Sequence, residues 1–223
     1  SIMKKGKLTA IVPVRAGSQR VKNKNTKPFA DSNLLKIKLE TLKKISMIDN
    51  IVVNSDSDEM LDIALSYGVS THKREEYYAS SECNNSEFFK HIGETTDTDY
   101  IMCSHVTSPL ISAETYFSCV DKFMNSNIEN LVTVCDVKHH MWLDGKPLNY
   151  NPSESPNSQD LPDIVGLTYG ISILGKDDMV KHKNVVTDNP YFYRLDEIES
   201  IDIDTEYDFM VAEYVYKKVN GHV

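Results

Sequence analysis

No stretch of this 223-residue chain approaches the roughly 20 consecutive apolar residues that a membrane-spanning helix requires. The first residues, up to Lys7, also lack the apolar core of a secretory leader. Cysteine is scarce and badly spaced for chemistry. Cys83, Cys103, Cys119 and Cys135 stand 20, 16 and 16 positions apart. That spacing excludes a zinc site built on C-x-x-C and predicts reduced thiols, three of them in or beside apolar runs. Basic residues are outnumbered, 24 Lys and Arg against 33 Asp and Glu, for a net charge of −9. A broad nucleic-acid-binding or anionic-membrane surface is therefore excluded. Three catalytic signatures are missing as well: G-x-x-x-x-G-K-[ST], G-x-G-x-x-G and G-x-S-x-G. The expectation is a cytoplasmic protein that spans no membrane and binds no nucleic acid.

What is present is an ordinary globular mixture, 40% hydrophobic and 26% charged, of a length that suits one large domain. Leu8–Val14 is a short apolar strand running into a glycine-containing loop. Leu35, Leu39 and Leu42 recur at helical spacing. Ile51–Ser55 reads as the next strand, with Asp56 as a helix cap and Glu59 at its third position. A helix around Phe88 and Ile92, a strand at Tyr100–Cys103, a helix capped by Ser112 and a strand at Leu131–Cys135 continue the alternation. Such alternation predicts an α/β fold, a mostly parallel sheet covered by helices on both faces.

The pattern breaks over 138–165, where four of the eight prolines fall (Pro147, Pro152, Pro156, Pro162). A flexible loop and an excursion packing on another subunit both fit that stretch. Strands at Thr168–Leu174 and Ser200–Ile203 follow. The last helix starts at a Thr205 cap, with Asp208 at its third position and Phe209, Ala212 and Tyr216 on one face.

Two constellations carry chemistry. The loop after the first strand is basic within an acidic chain: Arg15, Arg20, Lys22, Lys24 and Lys27. Ligands of open α/β sheets sit beyond the carboxyl ends of the strands. Gly17 allows close backbone approach there, and Arg15 and Lys24 suit phosphate oxygens. The second is Asp202-Ile203-Asp204. Strand alternation puts both carboxylates on one side, where they repel unless a cation sits between them. Mg²⁺ commonly takes one or two carboxylates plus substrate phosphates. His105 to Leu110 follow a strand and fall at the same sheet edge. His139 and His140 face opposite ways on a strand, which is poor geometry for a joint metal site.

These motifs, in this order, resemble the acylneuraminate cytidylyltransferase family, the CMP-sialic acid synthetases and their relatives. The family opening A-R-x-G-S-K-G-x-x-x-K-N corresponds to Val14 through Arg20, with Lys24 and Asn25 in register. Asn54-Ser55-Asp56 stands for S-T-D, Val106 to Leu110 for P-T-S-P-L, and Gln159 to Pro162 for Q-x-L-P. I-D-I-D-T-x-x-D is intact from Ile201 to Thr205 with Asp208. The resemblance implies a Rossmann-like nucleotidyltransferase with a core at 8–137 and 166–220 and a dimerisation excursion at 138–165. It implies CTP, Mg²⁺, transfer of CMP to an acidic sugar, release of pyrophosphate, and a homodimer serving cell-surface polysaccharide synthesis.

By the same resemblance Arg15, Lys24 and Asp204 are catalytic, and Asp202 and Asp204 hold the metal. Ala16, Gly17, Ser18, Asn25, Arg74 and Asn85 bind the nucleotide. His105, Thr107, Ser108, Gln159 and Tyr169 bind the acceptor. The chain departs from the family at Gln19, Arg20, His105, Ser158 and Tyr169. Several of these positions face the sugar, which leaves a related nonulosonate, another acidic sugar or a phosphonate as acceptor. Another nucleotide used on a sugar phosphate, or binding without catalysis, is the competing reading.

Overall fold

The computed structural model describes residues 3–17, 21 and 23–221. Its apolar runs form strands buried on both faces. In β1 (Leu8–Pro13), Leu8, Ala10 and Val12 enter one core while Ile11 enters the opposite one, the two-residue period of a strand. The chain continues through α1 (Leu34–Leu42), β2 (Asn50–Ser55), α2 (Asp58–Ser66), β3 (Ser70–Lys73), α3 (Glu76–Ala79) and α4 (Asn85–Thr95). Next come β4 (Tyr100–Ser104), α5 (Ala113–Met124), β5 (Asn130–Asp136), β6 (Trp142–Leu143), β7 (Lys146–Pro147) and β8 (Val165–Gly175). The described chain closes with α6 (Lys176–His182), β9 (Tyr191–Arg194) and α7 (Glu206–Val219).

Seven of these strands make one sheet in the order β3-β2-β1-β4-β8-β5-β9. β8 alone runs against its neighbours β4 and β5, and every other pairing is parallel. The chain winds outward from β1 to β3, then adds β4 on the far side of β1. Strand order reverses at that point, so the loops leaving the carboxyl ends of β1 and β4 diverge and leave a crevice. The larger core takes Leu35 and Leu39 of α1, Ala64 of α2, Tyr116 and Phe123 of α5, and Phe209 of α7. Phe89 and Ile92 of α4 and Met179 of α6 cover the other face. The expected α/β architecture is the observed one. Among the described residues no helix is long and apolar enough to cross a membrane.

Ser112 caps α5, and Thr205 caps α7 in a reciprocal capping box with Asp208, both as the sequence indicates. The cap of α2 is Ser57, not Asp56: its hydroxyl accepts the Met60 N–H at 3.4 Å. The Asp56 carboxylate is drawn away because it accepts the Ala16 N–H at 2.9 Å. No strand forms at Ser200–Ile203. That segment leaves a turn, Ser200 and Ile201 bonding back to the Asp196 and Ile198 carbonyls, and is unladdered, held by the Ile203 N–H donating to the Thr107 carbonyl at 3.0 Å. The strand pairing with β5 is β9, earlier in the chain.

Residues 138–164 form a built arm rather than a featureless loop. β6 and β7 are joined by Asp144 and Gly145, both at positive φ, the two-residue hairpin for which Asp-Gly is suited. Asn149 pins its base, accepting the Met141 N–H and donating to the His139 carbonyl, each at 2.8 Å. Two single 3₁₀ turns, Pro152–Glu154 and Ser158–Asp160, lead back to β8. Arg194 ties the two ends of the arm together through Asp136 and Asp163.

Candidate active site at the sheet edge

A cleft of about 690 Å³ opens at the sheet edge where β1 and β4 end, a size ordinary for a small-ligand site. Arg15, Gly17, Lys24 and Asn25 line it from the loop after β1. Arg74, Tyr78, Asn85 and Phe88 line it from the β3–α4 side, His105 and Thr107 from the loop after β4, and Asp204 from the segment before α7. Three cations and one aspartate thus line a single cleft of an acidic protein.

The loop after β1 is fastened from two sides. The Val14 N–H donates to the Asn54 carbonyl at 2.9 Å, and the Asn25 side chain donates to the Arg15 carbonyl at 3.1 Å. The Ala16 amide is engaged by Asp56, so it is not free for a phosphate in this conformation. Beside Gly17, a Cβ would meet nothing within 4 Å, which leaves the backbone open to the cleft. Ser18 lies outside the described residues, as do Gln19, Arg20 and Lys22.

Arg74 is buried and clamped. Its Nε donates to Asn54 Oδ1 at 2.6 Å, a terminal nitrogen donates to the Asn54 carbonyl at 3.0 Å, and the guanidinium lies 4.4 Å above the Phe88 ring. Burial, with repulsion from Arg15, lowers its pKa to about 10, while Asp56 acts the other way. It remains a cation at neutral pH, desolvated and set beside another cation, a field that favours an anion. Asn54 and Phe88 carry this geometry and were given no role by sequence reasoning. Tyr78, stacked on His91 at 3.6 Å, also lines the cleft without having been foreseen.

Asp202 is pushed up to about 6, first by burial, with the Thr107 hydroxyl opposing and Asp204 adding to the rise. Its hydrogen bond to Asp204 brings the two carboxylates into direct contact. Ile203 between them is fully buried. Its N–H is held by Thr107 and its carbonyl accepts from Lys24 Nζ at 3.4 Å. The pair therefore comes from an anchored, irregular segment rather than from a laddered strand. Carboxylates forced together in this way fit a divalent cation. Among the described residues no group of three or more His, Cys, Asp or Glu gathers to hold a metal alone.

His105 is half-buried in the cleft wall. Burial lowers its pKa to about 4, helped by the charges of Lys38, Arg74 and Lys24. The neutral imidazole, able to donate from one nitrogen and accept at the other, is what the cleft presents.

Three residues expected at the acceptor do not line this cleft. Ser108 is buried beneath it, with its carbonyl accepting from Lys38 Nζ at 2.9 Å. Gln159 is exposed in a 3₁₀ turn of the arm. Tyr169 is 43% exposed at φ +56. It sits where the β5–β8 register shifts, with the Thr133 and Thr168 hydroxyls 2.6 Å apart below it. A bulge of this kind re-aims a side chain, and here it turns the ring outward.

Residues 9–146 match the family model described as Cytidylyltransferase. The chain is 25% identical to the post-translational flagellin modification protein B of Campylobacter coli, over 92% of this chain and 93% of that protein. It is 26% identical to an N-acylneuraminate cytidylyltransferase of Escherichia coli O18:K1:H7, over 96% of this chain and 53% of that one. The chain thus spans about half the length of the N-acylneuraminate cytidylyltransferases it matches. The fold is similar to that of a CMP:2-keto-3-deoxy-manno-octonic acid synthetase solved with CTP, with a TM-score of 0.69 at 9% identity over 96% of this chain and 99% of that one.

The state of His105 is testable. A folded-state pKa depressed below the ordinary value of about 6.5 means that protonation opposes the fold. The stability it contributes is full above that value and is lost as pH falls from there through about 4. We expect its ring resonances, assigned by comparison with His105→Gln, to stay neutral through pH 5.5 and titrate near 4. An apparent pKa of 6 or above overturns this picture of the cleft wall.

Proposed function

This chain belongs to the cytidylyltransferase family, and from that premise we propose that it transfers CMP from CTP to an acidic sugar of the nonulosonate kind, releasing pyrophosphate. The observation that carries the reading is Asp204, in contact with Asp202, lining one cleft with Arg15, Lys24 and Arg74. A triphosphate brings several negative charges. Cations held by the loop after β1 and by the Asn54 clamp can take them without moving, and that preorganisation is the main electrostatic term in phosphoryl-type transfer.

In the proposed reaction an acceptor oxygen bonds to the α-phosphorus as the bond to the pyrophosphate oxygen breaks. Arg15 and Lys24 hold the leaving phosphates, and the Arg74 side orients the nucleotide. Asp202 and Asp204 would hold Mg²⁺, with substrate phosphate and water completing its shell. When bound, that ion would supply positive charge to the α-phosphate as negative charge develops there. Thr107, hydrogen-bonded to Asp202, keeps that carboxylate oriented. His105 faces the acceptor as a neutral donor–acceptor, where the resembling family places a glutamine. This supports an acceptor substituted differently from N-acetylneuraminate.

The arm at 138–164 supports a homodimer. It exposes Trp142, Leu143 and Leu148, and β8 adds Leu167 and Tyr169. Apolar side chains gathered on one arm suit an interface. Gln159 and Tyr169, which do not line their own chain's cleft, would then be presented to the partner's. A cytoplasmic setting belongs to the same proposal, since four unpaired thiols fit a reducing compartment in which CTP is available.

Pyrophosphate release is the test of the reaction. Each of the four nucleoside triphosphates is offered with Mg²⁺ and a panel of N-acetylneuraminate, other nonulosonates, 2-keto-3-deoxy-octonate, sugar phosphates and phosphonates. We expect turnover with CTP and an acidic nonulosonate, with N-acetylneuraminate inferior. Preference for GTP, UTP or ATP, or for a sugar phosphate, overturns the assignment. With the accepted pair, Asp204→Asn is expected to lower kcat by about a hundredfold or more with the fold retained, because it weakens metal charge at the transition state. An unchanged kcat removes the metal role. Light scattering is expected to give the mass of two chains at micromolar concentration, and the mass of one chain would refute the interface.

A further inference from the structure

Lys38 is an anomaly in this fold. It lies on α1, among the largest fully buried side chains, at 1% exposure. Lysine is almost never fully buried unless its charge is paired. Among the described residues no carboxylate lies within salt-bridge reach of it. Its Nζ instead donates to the Ser108 carbonyl at 2.9 Å and to the Tyr116 hydroxyl at 2.8 Å, and lies 4.9 Å from the Tyr116 ring centre. Burial lowers its pKa to about 7, with Glu199 pulling the other way. Both the ammonium and the amine keep donors for these two oxygens. A leucine or methionine would fill the same space more cheaply, so the nitrogen needs a reason.

Ser108 supplies one. It belongs to the loop after β4 that carries His105 and Thr107 into the cleft. The neighbouring residue, Thr107, links that loop to the aspartate turn, its carbonyl accepting from the Ile203 N–H while its hydroxyl bonds the Asp202 carboxylate. The loop is thus gripped from the buried side at Ser108 and grips the aspartate turn one residue earlier. We propose that Lys38 is a positioning residue of the cleft: by holding the Ser108 carbonyl it fixes the loop at 105–109 and, through Thr107, the placement of the Asp202–Asp204 pair. Lys38 touches no ligand in this arrangement. It acts through two intervening hydrogen bonds, and a displacement of about 1 Å at such a site can cost a hundredfold in rate.

The catalytic consequence rests on the reaction proposed above, but the positioning itself does not, and the two are separable. Lys38→Met keeps length and apolar volume and removes every donor. Hydrogen exchange of the Ile203 amide reads the grip directly. We expect it to quicken about tenfold or more in Lys38→Met, while amides of the β1–β4 ladder such as Ile101 and Cys103 keep wild-type rates. In the pyrophosphate assay, kcat is expected to fall about tenfold or more with KM for CTP within about twofold. Tyr116→Phe, which takes one anchor from Lys38 and leaves its nitrogen, is expected to show the same selective quickening at smaller size. Wild-type exchange at Ile203 in Lys38→Met overturns the proposal. So does quickening spread evenly over the β1–β4 ladder, which would mark Lys38 as a stability residue only. If Lys38→Met does not fold, wild-type exchange at Ile203 in Tyr116→Phe overturns it. Absence of turnover in the wild type refutes the reaction and leaves the exchange result to decide the positioning.

Discussion

One backbone hydrogen bond, Ile203 N–H to the Thr107 carbonyl, holds together what the rest of the molecule prepares. The two partners are almost a hundred residues apart and neither lies in a strand. The sheet determines where the loop after β4 leaves, and α7 determines where the aspartate turn must end. This bond, with the Thr107 hydroxyl on Asp202, joins the two at a defined distance. A neutral amide bond contributes about 1 kcal/mol to stability. Its importance is directional rather than energetic: it fixes which way two repelling carboxylates face.

Charge is handled in layers. The chain as a whole is acidic, yet the cleft gathers Arg15, Lys24 and Arg74 on one side. Arg74 is buried, which is costly, and Asn54 offsets the cost with both a side-chain and a backbone acceptor. Lys38 is buried more deeply and is satisfied only by neutral oxygens. Burial, helped by the positive field that results, keeps His105 neutral, and that field favours polyanions in the cleft. An anionic ligand would offset the repulsion between Arg15 and Arg74.

Much of this was legible in the sequence, for physical reasons. Buried parallel strands are continuous apolar runs, so β1, β2, β4 and β5 stand out, and Thr205 with Asp208 spells a capping box. The basic loop and the aspartate pair are dense enough in charge to be seen without a structure. β3 and β9 were missed because they are edge strands, polar or exposed along most of their length. The Ser200–Ile203 segment alternates like a strand but has no neighbour to pair with. Asp56 looks like a helix cap in isolation, and only the fold shows that the Ala16 amide competes for it. Lys38 was invisible, and Asn54 showed only as a motif position without its role, because a polar residue that serves another polar group across the fold has no local pattern. Tyr169 matched a family position in order along the chain, yet the bulge at Thr133–Thr168 turns its ring away from the cleft.

The reversed direction of β8 has an architectural consequence. A parallel neighbour would have to begin at the far edge of the sheet, and the chain between β5 and β8 would cross the whole face to reach it. Because β8 runs backward, Asp136 and Val165 are paired neighbours, and the arm leaves and re-enters the sheet at adjacent points on the ligand-facing rim. Arg194 fastens that neck on both sides. Lengthening a loop whose ends are already fixed costs only about 0.6 kcal/mol per doubling. The arm is therefore an interchangeable cartridge: its length and sequence can be rewritten at the rim of the sheet while strand register, core and phosphate-facing loop stay as they are.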